Sequence, residues 1–369
     1  MAEPLKHLVG PDLVGQLAEN ISSVMPDFNV GGFKQLFAEQ YLDLELMPRC
    51  HLVADCLYEV LPNDYPTALS IILASLGPVH RSTTDFAQVS FLHLPFSLFV
   101  GKHGLEHFQE SMSAQHEITQ RFTAEFSIRA FIEHHPEQSF KLFQTWIKDS
   151  SPHVRRLVSE GTRPRLPWAS RLRKLQADPS PIIPLLEALK DDPELYVRRS
   201  VANNLNDIGK DHPQLVYQLL AKWQKTSNKN RDWVISHALR SAVKRCEPQA
   251  LALLGYMDAE GMETSSSAIT PDQTNIGMSV RISTTLSNLG TQSKALMIDF
   301  AVHYVKANGR IRPKVFKWCQ IELDASGEKK LSKKLNLANL STRTHYAGSH
   351  RVDIIINGRW SYLGTFDLA

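Results

Sequence analysis

The sequence predicts an α + β multidomain chain in which an all-α solenoid of repeated helix pairs is followed by a β-sandwich. Two observations lead to this prediction. Helical segments recur at a fixed spacing in the first two thirds of the chain, and the hydrophobic pattern changes to alternation with period two after Tyr256. With 369 residues, of which 43% are hydrophobic, the chain is long enough for two domains with their own cores.

The repeat becomes visible when Pro136 is aligned with Pro179, an offset of 43 residues. The segment HPEQSFKLFQTWIKDSSPHVRR then lies over DPSPIIPLLEALKDDPELYVRR, so apolar positions, an aspartate and a Val-Arg-Arg triplet coincide. A third copy begins at Pro213, although its second helix has diverged. Each copy predicts a proline in the first turn of one helix and a second helix that opens near the triplet. Two-helix repeats of about 40 residues predict a HEAT-like solenoid.

Residues 1–135 also have the pattern of helices with short breaks, and one of these predicted helices covers SAQHEITQRFTAEFSIRAFIEHH. We therefore predict that the N-terminal two thirds of the chain is all helical. Trp146 and Trp223 occupy the core position of their repeats, so both are interpreted as packing residues.

The C-terminal part begins after the polar connector DAEGMETSSSAITPDQTN. Alternate residues in LMIDFAVHY and VDIII share one apolar face, and Asn357-Gly358 is a strong hairpin-turn signal. About seven short strands separated by turns predict an immunoglobulin-like β-sandwich without a cysteine pair. We place the helical domain at residues 1–258 and the sandwich at residues 265–369.

Several classes of protein find no support in the composition. The cysteines at positions 50, 56, 246 and 319 form no CxxC pair and no metal-ligand spacing, which indicates a cytoplasmic protein without disulfides or a metal. No phosphate-binding loop, dinucleotide glycine motif or Ser-His-Asp set is present, so no cofactor is expected. Neither a signal peptide nor a membrane span is predicted. A net charge of +3 is modest, so any affinity for nucleic acid must come from local clusters of basic residues.

Such a cluster lies between residues 152 and 176, where Glu160 is the only acid. The arginine pair Arg155-Arg156 recurs in the next repeat as Arg198-Arg199, which predicts a row of phosphate contacts. Arg163 and Arg165 of the same basic cluster are expected to contact phosphates as well. Glu160 stands at the predicted end of a helix, where the helix dipole disfavours an anion. It is therefore either a structural counter-charge or a group kept ionised for chemistry on a cationic centre.

Three further residues have both a structural and a functional interpretation. Glu125 stands between arginines at −4 and +4, which suits an ion-pair ladder on a helix surface, but it could also form one side of a cleft. Asp207 near the end of the next second helix is either a helix-end cap or lysine partner, or a part of the same site. Trp168 follows a double-proline turn and is either a packed core residue or a stacking platform.

The segments RFTAEFSIRAFI, WIKDSSPHVRRLVSEGTRPRLPWA and DPELYVRRSVANNLNDIG resemble the AlkC branch of the AlkC/AlkD DNA alkylation repair glycosylases. The resemblance covers essentially the whole chain, and SEGTRPRLPW is its most specific part. It implies a monomeric enzyme that excises N3-alkylated bases, chiefly 3-methyladenine and 3-methylcytosine, from double-stranded DNA, in a cleft that does not require full base flipping. It also implies that Glu125, Glu160, Asp207 and Trp168 form the catalytic site.

The expected chemistry agrees with this resemblance. Alkylation at N3 makes the base cationic, so the base leaves neutral without an acid, and carboxylates are needed to stabilise an oxocarbenium-like sugar and to orient water. The loop KANGRIRPK of the sandwich is expected to add DNA contacts. The alternative is a non-catalytic HEAT-repeat scaffold that binds DNA or acidic proteins. A scaffold has no need for acids in its groove, so convergence of the three carboxylates distinguishes the two.

Overall fold

The computed structural model describes residues 4–80, 82–83, 91–226, 228–340 and 343–369. The chain divides into two compact units. The helical unit comprises Met1–Val216 with Trp223–Ala238, and the sheet unit comprises Tyr217–Lys222 with Leu239–Ala369.

The described residues form fifteen α-helices and two short 3₁₀ turns, at Leu5–Leu8 and Phe91–His93. No helix in these described ranges is long and apolar enough to cross a bilayer. The helices are α1 Pro11–Ser22, α2 Val30–Ala38, α3 Leu46–Val60, α4 Tyr65–Ala74, α5 Leu94–His103, α6 Phe108–Thr119, α7 Ile128–His134, α8 Pro136–Trp146, α9 Pro152–Gly161, α10 Arg173–Ala177, α11 Ile183–Leu189, α12 Leu195–Ile208, α13 Pro213–Gln224, α14 Lys229–Lys244 and α15 Pro248–Leu253.

The predicted repeat is confirmed by the helix pairs α8/α9 and α11/α12, whose second helices both contain the Val-Arg-Arg triplet. The turn between the helices is built alike in both copies. Asp149 Oδ1 accepts a hydrogen bond from Ser151 N at 2.7 Å, and Asp192 Oδ1 accepts one from Glu194 N at 2.9 Å. The prediction for Pro179 is wrong, because α11 begins four residues later, after a separate turn.

The interpretation of the repeat tryptophans as packing residues is confirmed, because Trp146 and Trp223 are only 6% and 2% exposed. Both lie among the buried apolar side chains of their repeats, where the tryptophan ring fills space between the stacked helices.

The single helix predicted across residues 113–135 is wrong, because the chain leaves helical geometry between α6 and α7. Thr123 explains the break. Its hydroxyl accepts a hydrogen bond from the backbone N–H of Glu125 at 3.3 Å and donates to the Glu125 carboxylate at 2.7 Å. Such local bonds offer the backbone an alternative to the helix. Glu125 therefore lies in a turn, and the predicted ion-pair ladder does not form.

The sheet unit is a β-sandwich. Its strands are β1 Met262–Thr270, β2 Gln273–Thr274, β3 Ser279–Asn288, β4 Lys294–Val305, β5 Ile311–Leu323, β6 Glu328–Asn336, β7 Gly348–Ile356 and β8 Arg359–Leu368. One sheet has the order β1-β3-β6, and the other has the order β2-β8-β7-β4-β5. A single apolar cluster joins side chains from both sheets, as expected for two sheets packed face to face.

The predicted alternation is confirmed, since Leu296, Phe300 and Val302 of β4 and Ile354 of β7 are all at most 2% exposed. The predicted hairpin turn at Asn357-Gly358 is confirmed as well. Both of its residues have positive φ, +45° and +86°, which the two-residue turn between β7 and β8 requires.

Candidate active site

A continuous chain of alternating charges joins three elements of the helical unit: the turn before α7, the end of α9, and α12. Arg156 Nη1 lies 2.5 Å from Glu125 Oε2, and Arg156 Nη2 lies 3.5 Å from Glu160 Oε1. Arg163 continues the chain, because its Nη1 donates to Glu160 Oε1 at 2.6 Å and its Nε to Asp207 Oδ2 at 2.8 Å. The structure therefore brings the three predicted carboxylates together, linked by two guanidinium groups.

Glu160 lies at the middle of this chain and is held on both oxygens. It is 5% exposed, and its Oε2 accepts a hydrogen bond from Ser200 Oγ at 2.6 Å. Burial opposes its ionisation, but Arg156 and Arg163 outweigh burial and lower the pKa of Glu160 below its ordinary value. The two cations thus offset the unfavourable position of the Glu160 carboxylate at the end of a helix, and Glu160 stays ionised at neutral pH.

Glu125 differs from Glu160 because only one of its oxygens is engaged. Oε2 accepts hydrogen bonds and lies against Arg156, whereas Oε1 has no hydrogen-bond partner in the part of the chain that the structure describes. The side chain is 9% exposed and lines a cleft. Oε1 is therefore the carboxylate oxygen of this group that is available to a bound molecule.

Asp207 is the most deeply buried of the three acids, at 1% exposure. Arg163 holds its Oδ2, and Lys210 Nζ donates to its Oδ1 at 2.9 Å. The lysine partner considered from the sequence is thus present, together with the link to the shared site. Asp207 does not belong to the lining of the cleft, and Arg163 links it to Glu160, which does.

The cleft has a volume of about 600 Å³ and lies between the turn before α7, α9 and α12. Its aromatic lining includes Phe122 and Tyr196, and the Arg156 guanidinium covers the Tyr196 ring at 5.1 Å. Among the described residues, three carboxylates and two guanidinium groups line it, which together carry a net charge of −1: Glu125, Glu160, Glu194, Arg156 and Arg199. This described part of the lining is therefore slightly anionic, although the surrounding sequence is basic.

The predicted arginines fall into two groups. Arg199 is exposed, lines the cleft, and pairs with no acid within the described ranges. The others are engaged inside the chain. Arg155 binds both oxygens of Asp192, at 2.6 and 3.1 Å, and Arg165 binds both oxygens of Asp211, at 2.8 and 2.6 Å.

Arg198 belongs to the engaged group, because its guanidinium donates to the carbonyls of Asp192 and Pro193 at 2.6 and 2.8 Å. The guanidinium of Arg155 likewise donates to the carbonyls of Asp149 and Ser150, which lie six and five residues before it in the chain. Equivalent arginines therefore cap equivalent turns, which explains their recurrence without DNA.

Trp168 stands apart from these buried groups. It is 65% exposed and has a φ of +64°, a conformation that a large side chain rarely adopts. The packed-core interpretation of Trp168 is therefore wrong. An exposed aromatic ring on a strained backbone matches the alternative interpretation as a contact surface.

Sequence reasoning missed Ser200, although the repeat contains a signal for it. Ser200 is equivalent to Leu157, a buried apolar residue, and replaces it with a buried hydroxyl that donates to Glu160. Arg129 was considered only as a ladder partner of Glu125, whereas its guanidinium binds backbone carbonyls of the 161–170 segment. No cluster of His, Cys, Asp or Glu in the described residues could hold a metal ion.

A family model described as DNA alkylation repair enzyme matches residues 120–245, and the C-terminal Ig-like domain of YhaZ matches residues 263–369. The chain is 37% identical over 355 residues to the uncharacterized protein YhaZ of Bacillus subtilis (strain 168), with 96% of each chain covered.

A solved structure gives the same assignment. The chain superposes with a TM-score of 0.90 and 35% identity, over 100% of both chains, on the Pseudomonas fluorescens alkylpurine DNA glycosylase AlkC, bound to DNA that contains an abasic site analog. Similarity of this extent in sequence and fold shows that the chain belongs to the AlkC branch of the DNA alkylation repair enzyme family.

Proposed function

We propose that this protein is a monomeric, cytoplasmic DNA glycosylase that excises cationic N3-alkylated bases, 3-methyladenine and 3-methylcytosine, from double-stranded DNA. The observation that carries the proposal is Oε1 of Glu125, which accepts no hydrogen bond from the described residues, in a cleft whose described lining has a net charge of −1. The similarity to an alkylpurine DNA glycosylase supports the same reaction class. A scaffold that only binds DNA gains nothing from a buried carboxylate opposite a negatively charged ligand.

The chemistry follows from the charge of the lesion. When the bond between C1′ and the alkylated base breaks, both electrons leave with the base, which becomes neutral, and positive charge develops on the sugar. A carboxylate beside that sugar stabilises the charge and accepts a proton from the attacking water, whose oxygen forms the new bond to C1′. Glu125 Oε1 suits this role because Arg156 keeps the carboxylate ionised through Oε2, while Oε1 accepts no hydrogen bond from the described residues.

In this proposal Glu160 and Asp207 support the site without direct attack. Glu160 orients Arg156 and Arg163, and Asp207 anchors Arg163 from the buried side. The Arg156 guanidinium in turn fixes the Glu125 carboxylate through Oε2, so Oε1 faces the cleft in one orientation. Preorganisation of this kind is the main contribution that a protein makes to such a reaction.

DNA is held by groups at the surface of each unit. Arg199 contacts a backbone phosphate, and Trp168 contacts the deoxyribose or the lesion strand. In the sheet unit, Lys306, Arg310 and Arg312 of the KANGRIRPK loop line a second cleft of about 500 Å³ together with Arg343. Like charges gathered in this way suit the phosphate backbone.

We further propose that the base is excised without full rotation out of the helix. A flipped base is normally stacked between aromatic or apolar faces in a closed pocket. In the cleft, one face of Tyr196 is already covered by Arg156. The cleft is therefore better suited to contact the sugar and the departing base than to enclose a flipped base.

The experiment that tests the proposal is release of free bases from methylated duplex DNA under single-turnover conditions, with mass spectrometry to identify each base. We expect 3-methyladenine and 3-methylcytosine to appear, and no release from unmethylated duplex of the same sequence. Binding of the duplex without release of any base would contradict the enzyme and favour the scaffold.

A further inference from the structure

The segment between α9 and α10 has little regular structure of its own, yet it carries two residues of the candidate site. Its backbone hydrogen bonds are few and local; they include Arg163 N to Glu160 O at 3.2 Å and Ala169 N to Leu166 O at 3.4 Å. Its side chains include Arg163, which bridges two carboxylates, and Trp168 with its positive φ. Something outside the segment must therefore fix its path.

Arg129 on α7 contributes the contacts that reach both ends of the segment, in addition to the side-chain bonds that Asp207 and Asp211 make with it. Its Nη1 donates to the carbonyls of Gly161 at 3.0 Å and Arg163 at 2.8 Å, and its Nη2 donates to the carbonyl of Ser170 at 2.6 Å. One guanidinium thus holds both ends of the 161–170 segment. The planar fork of arginine is needed for this, because a lysine ammonium cannot direct donors to three separated carbonyls with fixed geometry.

The electrostatic setting of Arg129 is unfavourable for a residue that only fills space. Arg129 is 3% exposed, and no carboxylate in the described chain lies within ion-pair distance of it. Burial lowers the pKa of its guanidinium to about 10, so it stays charged at neutral pH. A buried cation held by neutral carbonyls is costly, so Arg129 acts mainly by fixing the backbone segment whose carbonyls it binds.

We propose that Arg129 is a positioning residue for the glycosylase reaction, which it serves by fixing the 161–170 segment and thereby the geometry of Arg163 and Trp168. This inference rests on the proposed function. Arg129 does not line the cleft, so its effect on the reaction passes through those two side chains. Its replacement is predicted to lower the rate of base release much more than the affinity for DNA, to which Trp168 is only one of several contacts.

Arg49 provides a matched control in the same unit. It is 5% exposed, and its guanidinium also donates to backbone carbonyls, those of Lys6, Val9, Leu42 and Leu44. Its contacts lie among the first 50 residues and touch none of the site residues. Arg129→Lys and Arg49→Lys therefore make the same chemical change, with and without access to the candidate site.

The test uses the full chain and methylated duplex DNA, and it measures the single-turnover rate, DNA affinity, thermal unfolding and backbone hydrogen exchange of residues 161–172. For Arg129→Lys we expect an affinity that falls far less than the rate, faster exchange confined to that segment, and a rate about 100-fold lower, the loss expected for an atomic misplacement near 1 Å. Arg49→Lys should release the base at the wild-type rate. Arg129→Gln provides a second variant, which should be at least as slow.

Three outcomes would contradict the positioning role of Arg129 or the proposed function on which it rests. If Arg129→Lys exchanges faster over residues 161–172 but releases the base at the wild-type rate, the positioning role is wrong. If both lysine variants lose rate in proportion to their loss of stability, Arg129 has only a general structural role and the inference is again wrong. If the wild type itself releases no base, the proposed function fails first, and this failure is distinguished by the wild-type arm alone.

Discussion

The first and second arginines of the Val-Arg-Arg triplets have different roles, although they are neighbours in both repeats. The first arginines, Arg155 and Arg198, turn inwards and cap the turn that precedes their own helix. The second arginines, Arg156 and Arg199, face the cleft. Positions that make the same contacts in both copies therefore build the scaffold, whereas the candidate site lies at positions where the two copies differ.

Those differences are specific. Glu160 is equivalent to Asn203, and the buried Leu157 is equivalent to Ser200, so α9 supplies the acid and α12 supplies the hydroxyl that binds it. The second arginines also diverge, since Arg156 is enclosed between two carboxylates while Arg199 is exposed. The two copies of the repeat therefore differ at the positions where α9 and α12 form the candidate site.

The largest effect on stability is expected at a first arginine. Arg155→Met removes one side of a buried ion pair and leaves Asp192 buried without its partner, so the free energy of unfolding should fall by about 3 kcal/mol. The measurement is urea unfolding followed by circular dichroism. A variant that keeps its stability but loses DNA affinity would contradict the assignment of Arg155 to the scaffold.

A smaller effect is expected from the protonation of Glu160. Its folded pKa lies below the ordinary 4.5, so ionised Glu160 stabilises the fold above pH 4.5, and this contribution is lost as the pH falls through the folded pKa. Each unit of pKa shift corresponds to about 1.4 kcal/mol. The test compares urea unfolding of the wild type and Glu160→Gln between pH 7 and pH 3.

The difference between the two free energies of unfolding should be constant at neutral pH and should shrink below pH 4.5. A difference that stays constant down to pH 3 would show that the pKa of Glu160 is not lowered by folding in the way its contacts indicate.

The smallest effect is expected at Arg199, the exposed second arginine. Arg199→Met should leave thermal unfolding unchanged, because the side chain pairs with no acid in the described residues. Binding to duplex DNA should weaken at all sequences, and the slope of log affinity against log salt should decrease by about 1, as expected for the loss of one phosphate contact. Filter binding at several salt concentrations measures this, and an unchanged slope would exclude the contact.

Much of the fold could be predicted because the signals are local. The 43-residue offset aligns the helix pairs, and the alternation from Leu296 to Tyr304 identifies the buried face of β4. The position of Glu160 at a helix end also follows from local residues, namely the glycine and prolines that terminate α9. These features need no knowledge of which segments touch.

The site itself could be predicted only in part, because its contacts join residues that are far apart in sequence. The pair of Glu125 with Arg156 crosses 31 positions, from 125 to 156, and replaces the ladder that local spacing favours. Nothing near Arg129 in the sequence indicates that its partners are the carbonyls of residues 161, 163 and 170. Which carboxylate keeps a free oxygen depends on three-dimensional contacts alone.

The action of Glu125 on the substrate is tested by comparing Glu125→Gln with Glu160→Gln for single-turnover release of 3-methyladenine, with DNA affinity and thermal unfolding measured in parallel. We predict that Glu125→Gln stays folded, binds DNA like the wild type, and releases the base about 10²–10³-fold more slowly, as expected for loss of one group that stabilises developing charge. Glu160→Gln should lose stability together with rate, because it holds two arginines. Wild-type release by Glu125→Gln would contradict the central claim that Glu125 acts on the substrate.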